Sequence, residues 1–307
     1  MKPELSIIII NWNVKEYLRE CLKSIYSKVG EAVMYEIIVI DNASNDGSSD
    51  MIKKEFPKVK LVQNWENIGF GRACNQASHT ARGTFLLILN PDTKIIKVDF
   101  KELFRILEER NDIGAIVPLI YDKDGSLKYK VIRTIPKIRD VFNFYIFHQR
   151  LRFKYSKALS VTDVQEHEYP SGSCFLVKLS LFKMLGGFDE HYFLFFEDAD
   201  LGVRLNTMHL KTISFPEFKI IHMAGKSTEQ NMKYTFLSGH QSSLYFFKKT
   251  NGTISYIVIK FILVVGALIE ITSLIIKYFL RSKKGNSFTE RIINNLNIIK
   301  WHMSHSL

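Results

Sequence analysis

The chain has 307 residues and 42 Lys and Arg against 31 Asp and Glu, for a formal charge of +11, which is enough length for one large α/β domain with an appendage or for two modest domains. Cys21, Cys74 and Cys174 are odd in number, far apart and form no CxxC, so a disulfide framework and a zinc cage are excluded and a reducing compartment is expected. Segments 128–157 and 248–307 hold +8 and +7 of the +11, leaving −4 elsewhere; this places the positive charge beside aromatic and aliphatic runs, against a nucleic-acid binder and for an anionic membrane surface.

Along the chain, the apolar run 5–10 is shorter than a signal-peptide core and ends in Asn11-Trp12-Asn13, so it reads as a strand. Further β-branched runs at 37–40, 60–62, 85–89 and 115–117 read as buried strands, with amphipathic helices at 14–26, 49–56, 69–80 and 100–110 between them. That βαβ series predicts a mostly parallel, doubly wound sheet with ligands at the carboxyl ends of its strands. Polar clusters fall at those ends: Asn11-Trp12-Asn13, Asp41-Asn42-Ala43-Ser44 and Asn90-Pro91-Asp92. No GxGxxG follows the first strand and no GxxxxGK[ST] occurs, which argues against a dinucleotide-dependent dehydrogenase and a P-loop enzyme.

Segment 121–170 is an irregular, basic and aromatic insertion. Beyond it, 171–177 and 212–215 read as strands, with a helix over 179–185, a turn at Gly186-Gly187-Phe188-Asp189-Glu190, and Phe195-Phe196-Glu197-Asp198-Ala199-Asp200-Leu201. In that last segment three acids enter the first turn of a helix directly behind an apolar run. A carboxylate there could serve as a general base, its basicity raised by desolvation and lowered by the helix N-terminus, or it could simply cap the helix. Residues 254–280 are nearly all apolar, but Lys260, Glu270 and Lys277 interrupt the run below the roughly 20 residues of a clean span. Gly266, Glu270, Ser273 and Lys277 fall on one narrow stripe, as in a helix that lies in a membrane interface, packs on a partner, or does both. Lys248-Lys249 and Arg281-Ser282-Lys283-Lys284 would meet anionic headgroups; the alternative is a helical hairpin covering the protein's own core.

The order of these motifs resembles the family 2 glycosyltransferases of GT-A fold, in particular their rhamnosyltransferase-like branch. The resemblance rests on Ser6-Ile7-Ile8-Ile9-Ile10-Asn11-Trp12-Asn13, Ile38-Val39-Ile40-Asp41-Asn42-Ala43-Ser44-Asn45-Asp46-Gly47-Ser48, Asn67-Ile68-Gly69-Phe70-Gly71, Leu89-Asn90-Pro91-Asp92, Ser171-Gly172-Ser173, the Gly186-Gly187 turn and the acidic segment, which extend over roughly the first 225 residues. It implies inverting transfer of a sugar, with rhamnose the sugar the branch suggests, from a UDP- or dTDP-sugar to a lipid-linked glycan in bacterial surface polysaccharide synthesis.

By the same resemblance, Asp92 ligates a divalent metal, Mg²⁺ or Mn²⁺, that bridges the donor's pyrophosphate, with His222 as a second ligand. Asn90 stands where the motif usually has its first acid, which leaves one charge fewer on the ion. Asp41 takes the base's imide and Trp12 stacks on the base, with Asn13 in the same pocket. Asn67 and Gly69 precede a helix whose N-terminus could face the phosphates, and Arg72 is either a phosphate contact or a solvated helix residue. Asp46 reads as a turn or cap. Asp198 matches the catalytic base, while Glu197 and Asp200, three apart on one helix face, are acceptor ligands or structural caps; Ser171 and Gly172 belong to the acceptor side.

The expected organisation is a catalytic domain over 1–225 and a helical, membrane-associating region over 226–307. The catalytic domain would have a nucleotide half over 1–92 and an acceptor half over 93–225, at the cytoplasmic face of the plasma membrane as a peripheral or monotopic protein. Two other readings compete: a nucleotidyltransferase, disfavoured because Asn11-Trp12-Asn13-Val14 stands where a glycine-rich basic loop is needed, and an inactive sugar-nucleotide-binding scaffold, disfavoured because Asp41, Asp92 and Asp198 are all present.

Overall fold

The computed structural model describes residues 2–29, 33–127, 133–147, 161–223, 232–281 and 286–304. The chain divides into two compact units, Met1–Ile135 with Tyr155–Gln230, and Pro136–Lys154 with Asn231–Leu307. The first opens with β1 (Leu5–Asn11), α1 (Lys15–Lys28), β2 (Tyr35–Asp41), α2 (Ser48–Glu55), β3 (Lys60–Gln63), α3 (Phe70–Thr80) and β4 (Phe85–Leu89), strand and helix alternating as the hydrophobic periods require. It continues with β5 (Thr93–Lys97), α4 (Phe100–Glu109) and β6 (Ile113–Tyr121). After α5 (Ile138–Phe147), which belongs to the second unit, come β7 (Gln165–His167), β8 (Cys174–Lys178), α6 (Leu179–Met184), α7 (Glu197–Thr207) and β9 (Lys211–His222).

The sheet runs β3-β2-β1-β4-β8-β6-β9-β5, with β7 paired on β9. Because it is covered on both faces, its central strands carry apolar residues on both sides rather than at alternate positions only. Leu5, Ile7 and Ile9 point into one core layer with Leu18 and Leu22 of α1, Ile52 of α2 and Leu103 of α4. Ile8 and Ile10 point into the other layer, with Ala73 and Ala77 of α3, Phe182 of α6 and Leu201 of α7.

Residues 1–92 match the expected parallel topology, since β1 pairs in parallel with β2 and β4, and β2 with β3. The remainder is mixed, because β8 enters antiparallel between β4 and β6. This restores β6, and β9 parallel to it, to the direction of β4. The carboxyl ends of β1 to β4, β6 and β9, and the start of β8, therefore lie along one edge of the sheet. β5 and β7 were not foreseen: Thr93-Lys94-Ile95-Ile96-Lys97 follows a turn with no gap, and Gln165-Glu166-His167 carries no apolar run at all, yet both find partners on β9, which extends well past the expected 212–215.

In the second unit, α8 (Met232–Arg281) is broken at Gly252, where φ 83 and ψ −177 leave the helical region, and α9 (Asn286–Ser304) and α5 pack on it. Gly266, expected on a polar stripe, is a packing notch: a Cβ there would stand 2.7 Å from Tyr145 Cβ. The side of α8 facing away from that contact carries Ile254, Ile257, Val258, Phe261, Leu268, Ile275 and Ile276, all exposed. Among the described residues one helical stretch, Leu237–Ile276, is by length and composition able to cross a membrane, its most apolar window having a mean hydropathy of 2.3. The side chain of Lys277, the basic flank 282–284, the stretch 224–231, and 128–132 and 148–160 of the basic insertion lie outside the described residues.

Candidate active site

Sequence-predicted residues of the donor half collect along the common strand edge. Asn11 and Asp41 are directly opposite in the β1–β2 register, and Asn11 Nδ2 donates to Asp41 Oδ1 at 2.8 Å. Ser44 Oγ donates to the same oxygen and Ser49 Oγ to Oδ2, so Asp41, 1% exposed, uses both oxygens to tie the loop after β2 to the sheet. Asn13, at φ 54, stitches the neighbouring loop: its N–H donates to Ser44 Oγ at 2.9 Å and its Oδ1 accepts from Asn45 N at 2.8 Å. Trp12, between these anchors, is half-buried. Asp46 takes the turn-and-cap role, accepting from Lys15 N and Ser48 N.

Asn67 Oδ1 accepts from Gly69 N at 3.0 Å and from Asn42 Nδ2 at 3.2 Å, which sets the turn into α3. Gly69 sits at φ 87, and a Cβ would come 2.6 Å from Phe193 O, so glycine is required on two counts. Phe70 N donates to that same carbonyl at 2.9 Å. Arg72 pairs with Glu190 at 3.3 Å, on the turn after α6, as a solvated helix residue.

Asn90 and Asp92 follow β4. Asn90 N donates to Ser173 O, and Asn90 O accepts from Thr93 N and Thr93 Oγ1, which fixes the turn. Thr93 is opposite His222 in the β5–β9 register, and Met223 N donates to Asp92 O at 2.9 Å. These bonds set Asp92 Oδ1 3.2 Å from His222 Nε2, with both side chains buried. One hard carboxylate oxygen and one imidazole nitrogen suit Mg²⁺ or Mn²⁺, and among the described residues no group of three or more His, Cys, Asp and Glu forms a fuller cage. The pair could supply two ligands to such a cation. Beside His222, Asp122, Lys123, Asp124 and Met223 line a cavity of about 330 Å³.

The residues expected on the acceptor side are gathered around α7. The backbone enters it through Phe195 and Phe196 at φ 69 and 67, a conformation that costs an L-residue roughly 1–2 kcal/mol each. Segment 168–172 runs along the helix and is attached three times: Asn206 Nδ2 donates to Glu168 O, Gly202 leaves no room for a Cβ against Tyr169, and Gly172 N donates to Asp198 Oδ2 at 2.9 Å. Asp198 Oδ1 accepts from Ala199 N at 2.8 Å, and Ser171 Oγ lies 2.7 Å from Ser173 Oγ.

The three acids of α7 separate completely. Asp198 is partly exposed; burial raises its carboxyl, while the two backbone N–H groups and Arg133 pull it down. Glu197 is 5% exposed, and burial followed by the charge of Asp198 pushes its carboxyl up to about 8. Asp200, 1% exposed, accepts from Arg204 Nε at 2.8 Å, and Arg204 Nη1 bonds the carbonyls of Leu185 and Gly187. Asp200 is therefore engaged by Arg204, and Glu197 is buried beside Asp198.

Asn75 was missed. Its amide bonds both the N–H and the C=O of Phe188 at 2.8 Å, so it holds the Gly186-Gly187 turn against α3. The available signal was a polar residue at a position that the helical period of α3 buries. Arg133, read only as one charge of the basic insertion, acts on Asp198.

A model of glycosyl transferase family 2 matches residues 6–186, more than half of the chain. An N-acetylglucosaminyl-diphospho-decaprenol L-rhamnosyltransferase of Mycobacterium tuberculosis is 28% identical over 263 residues, covering 80% of this chain and 84% of its own. The rhamnosyltransferase WbbL of Escherichia coli K12 is 25% identical over 234 residues, covering 71% and 83%. Among solved structures, GalNAc-T7 with UDP, GalNAc and Mn²⁺ superposes with a TM-score of 0.54 at 15% identity over 81% of this chain, which spans about half (51%) of that one; the likeness is one of fold.

Proposed function

The chain belongs to glycosyl transferase family 2 and has the GT-A fold, and from that premise we propose that it is an inverting glycosyltransferase. It moves a sugar, rhamnose by analogy with its relatives, from a UDP- or dTDP-sugar to a lipid-linked glycan acceptor of bacterial surface polysaccharide synthesis. The observation that carries this reading is Asp198. It is a carboxylate at the head of α7, fixed by the Gly172 N–H and raised in basicity by burial, on the same side of the sheet as the loops that would hold the donor.

The reaction is one displacement. Asp198 takes the proton of the acceptor hydroxyl as that oxygen bonds the anomeric carbon, and the bond from that carbon to the diphosphate oxygen breaks with inversion. The loops tied by Asp41, Asn13 and Asn67 shape the nucleoside pocket, with Trp12 as its stacking surface. Gly69 admits the backbone turn at the head of α3, and Asn90 sets the turn that presents Asp92. Asp92 and His222 would hold Mg²⁺ or Mn²⁺, whose charge neutralises the departing diphosphate when bound. Ser171 and Gly172 border the acceptor beside the base. The nucleotidyltransferase alternative gains nothing from this geometry.

The second unit supports attachment to an anionic membrane as a peripheral or monotopic protein on the cytoplasmic side. Its exposed apolar face on α8 stands in a segment carrying +7, the combination that buries apolar side chains among acyl chains and sets basic ones at headgroups. Buried free thiols at Cys21, Cys74 and Cys174 suit a reducing compartment. The experiment is transfer from a panel of UDP-, dTDP- and GDP-sugars to a polyprenyl-diphosphate-linked N-acetylglucosamine, with and without EDTA. Transfer from a UDP- or dTDP-sugar that EDTA abolishes is expected. Undiminished transfer in EDTA would remove the metal, and no transfer from any donor would remove the enzymatic reading.

A further inference from the structure

Two carboxylates stand side by side at the head of α7, and the structure treats them differently. Asp198 receives an N–H on each oxygen, from Ala199 and from Gly172. Glu197 is 5% exposed, and its Oε2 is buried with no hydrogen-bond partner among the described residues. A carboxylate is kept ionised in a buried place by donors or cations, and among the described residues Glu197 Oε2 meets neither, with its own backbone N–H as a minor opposing donor to the group. Asp198 on its own helix and the Cys74 thiol of α3, itself buried, also act on it. The cation acting on the pair, Arg133, acts on Asp198, and the nearby His167, drawn down to about 3 by burial, is neutral.

We infer that Glu197 is a positioning residue held as the neutral acid, so that the adjacent pair carries a single negative charge and that charge resides on Asp198. This deepens the proposed reading and rests on it only where activity is concerned. Neutral Glu197 lets Asp198 keep its bond to the Gly172 N–H without a like charge beside it. Ionised, it sets a second negative charge beside Asp198 and drives the base off that anchor. Glu197 is thus expected to govern an alkaline fall in rate centred near pH 8, where its carboxyl titrates.

The sign for stability follows by linkage. Folding raises the carboxyl from an ordinary 4.5 to about 8, so the folded chain binds more protons than the unfolded one between those values. The stability present below pH 4.5 is therefore lost progressively as pH rises to about 8.

The test uses the full chain. Infrared difference spectra between wild type and Glu197→Gln should show, at pH 7, a protonated-carboxyl carbonyl band that is present only in the wild type and vanishes near pH 8. In Asp198→Asn, which removes the neighbouring charge, the band should persist at pH 7 and vanish at lower pH than in the wild type. Thermal unfolding of Glu197→Gln should lose part of the decline in Tm between pH 5 and 8, and its ratio of transfer rates at pH 9 and pH 7 should exceed the wild-type ratio at least about threefold, the scale of removing one ionisation. Absence of the band in wild type at pH 7, or identical stability and rate profiles in Glu197→Gln, overturns the inference. If no sugar is transferred at all, the enzymatic reading has failed, and the infrared and stability results still decide the state of Glu197.

Discussion

In the first unit Ile7, Ile9, Leu87 and Phe182 are fully buried, and the charged side chains of α1, α2 and α4 are largely exposed; among the exceptions, Trp65, Phe193 and Phe195 stand in loops bordering the candidate site. The second unit also has an apolar core, with Phe246, Phe247, Ile259 and Leu263 buried, but it adds an exposed apolar face on which Ile254 is 78% exposed and Phe261 68%. Two units of one chain with such different surfaces are matched to different surroundings. The first is closed against water around a polar strand edge, and the second offers water an apolar face that a bilayer would cover. Chemistry and attachment should therefore be separable by mutation.

The largest effect expected is on chemistry alone. Asp198→Asn is isosteric and should lower transfer at least about a hundredfold, the scale of general-base loss, with vesicle binding unchanged. If membrane recovery fell in parallel, the separation would be lost. The reverse case is Ile257→Asp with Phe261→Asp. Two large apolar side chains, each contributing about 1.5–3 kcal/mol when fully buried, are removed from the proposed contact, so flotation with anionic liposomes should fall at least about tenfold while transfer to a water-soluble acceptor analogue stays within about twofold. Flotation equal to wild type would assign that face to something other than lipid.

Within the first unit the contrast sharpens between buried and exposed polar groups. Asn75→Ala strands both the N–H and the C=O of Phe188, and should cost about 2–6 kcal/mol in chemical denaturation, at about 1–3 kcal/mol for each orphaned group. Arg72→Ala removes only a half-exposed ion pair to Glu190 and should change stability by about 0.5 kcal/mol or less. A large loss there would mean that Arg72 has a partner in the bound state.

Much of the donor half was legible in the sequence because its signals are local: a β-branched run, then a polar cluster, then a helix. Asn11, Asp41 and Asp92 could be placed at strand ends, and Asn67 before a helix, from that order alone. The acceptor half is decided by contacts between distant segments, and local pattern does not carry them. Nothing in Gln165-Glu166-His167 announces a strand, because its partner residues 212–214 lie some 45 positions on. The spacing of Glu197 and Asp200 put them on one face, but the burial of Asp200 goes with Arg204, which bonds it and the carbonyls of Leu185 and Gly187. Gly266 misled for the converse reason: on a helix the absence of a side chain reads as polar, whereas here it makes room for Tyr145.

The insertion of β8 between β4 and β6 also bears on how the chain is made. β4 has β1 on one side only until residues 174–178 exist, so Phe85–Leu89, five apolar residues, leaves the ribosome about 90 residues before its second partner. At synthesis rates of about 5–20 residues per second, that edge stays open for roughly 4–18 s. An open apolar edge is a template for pairing with another chain, so the nascent protein is most prone to aggregate in that interval, and slower translation of 90–178 should lower its soluble yield.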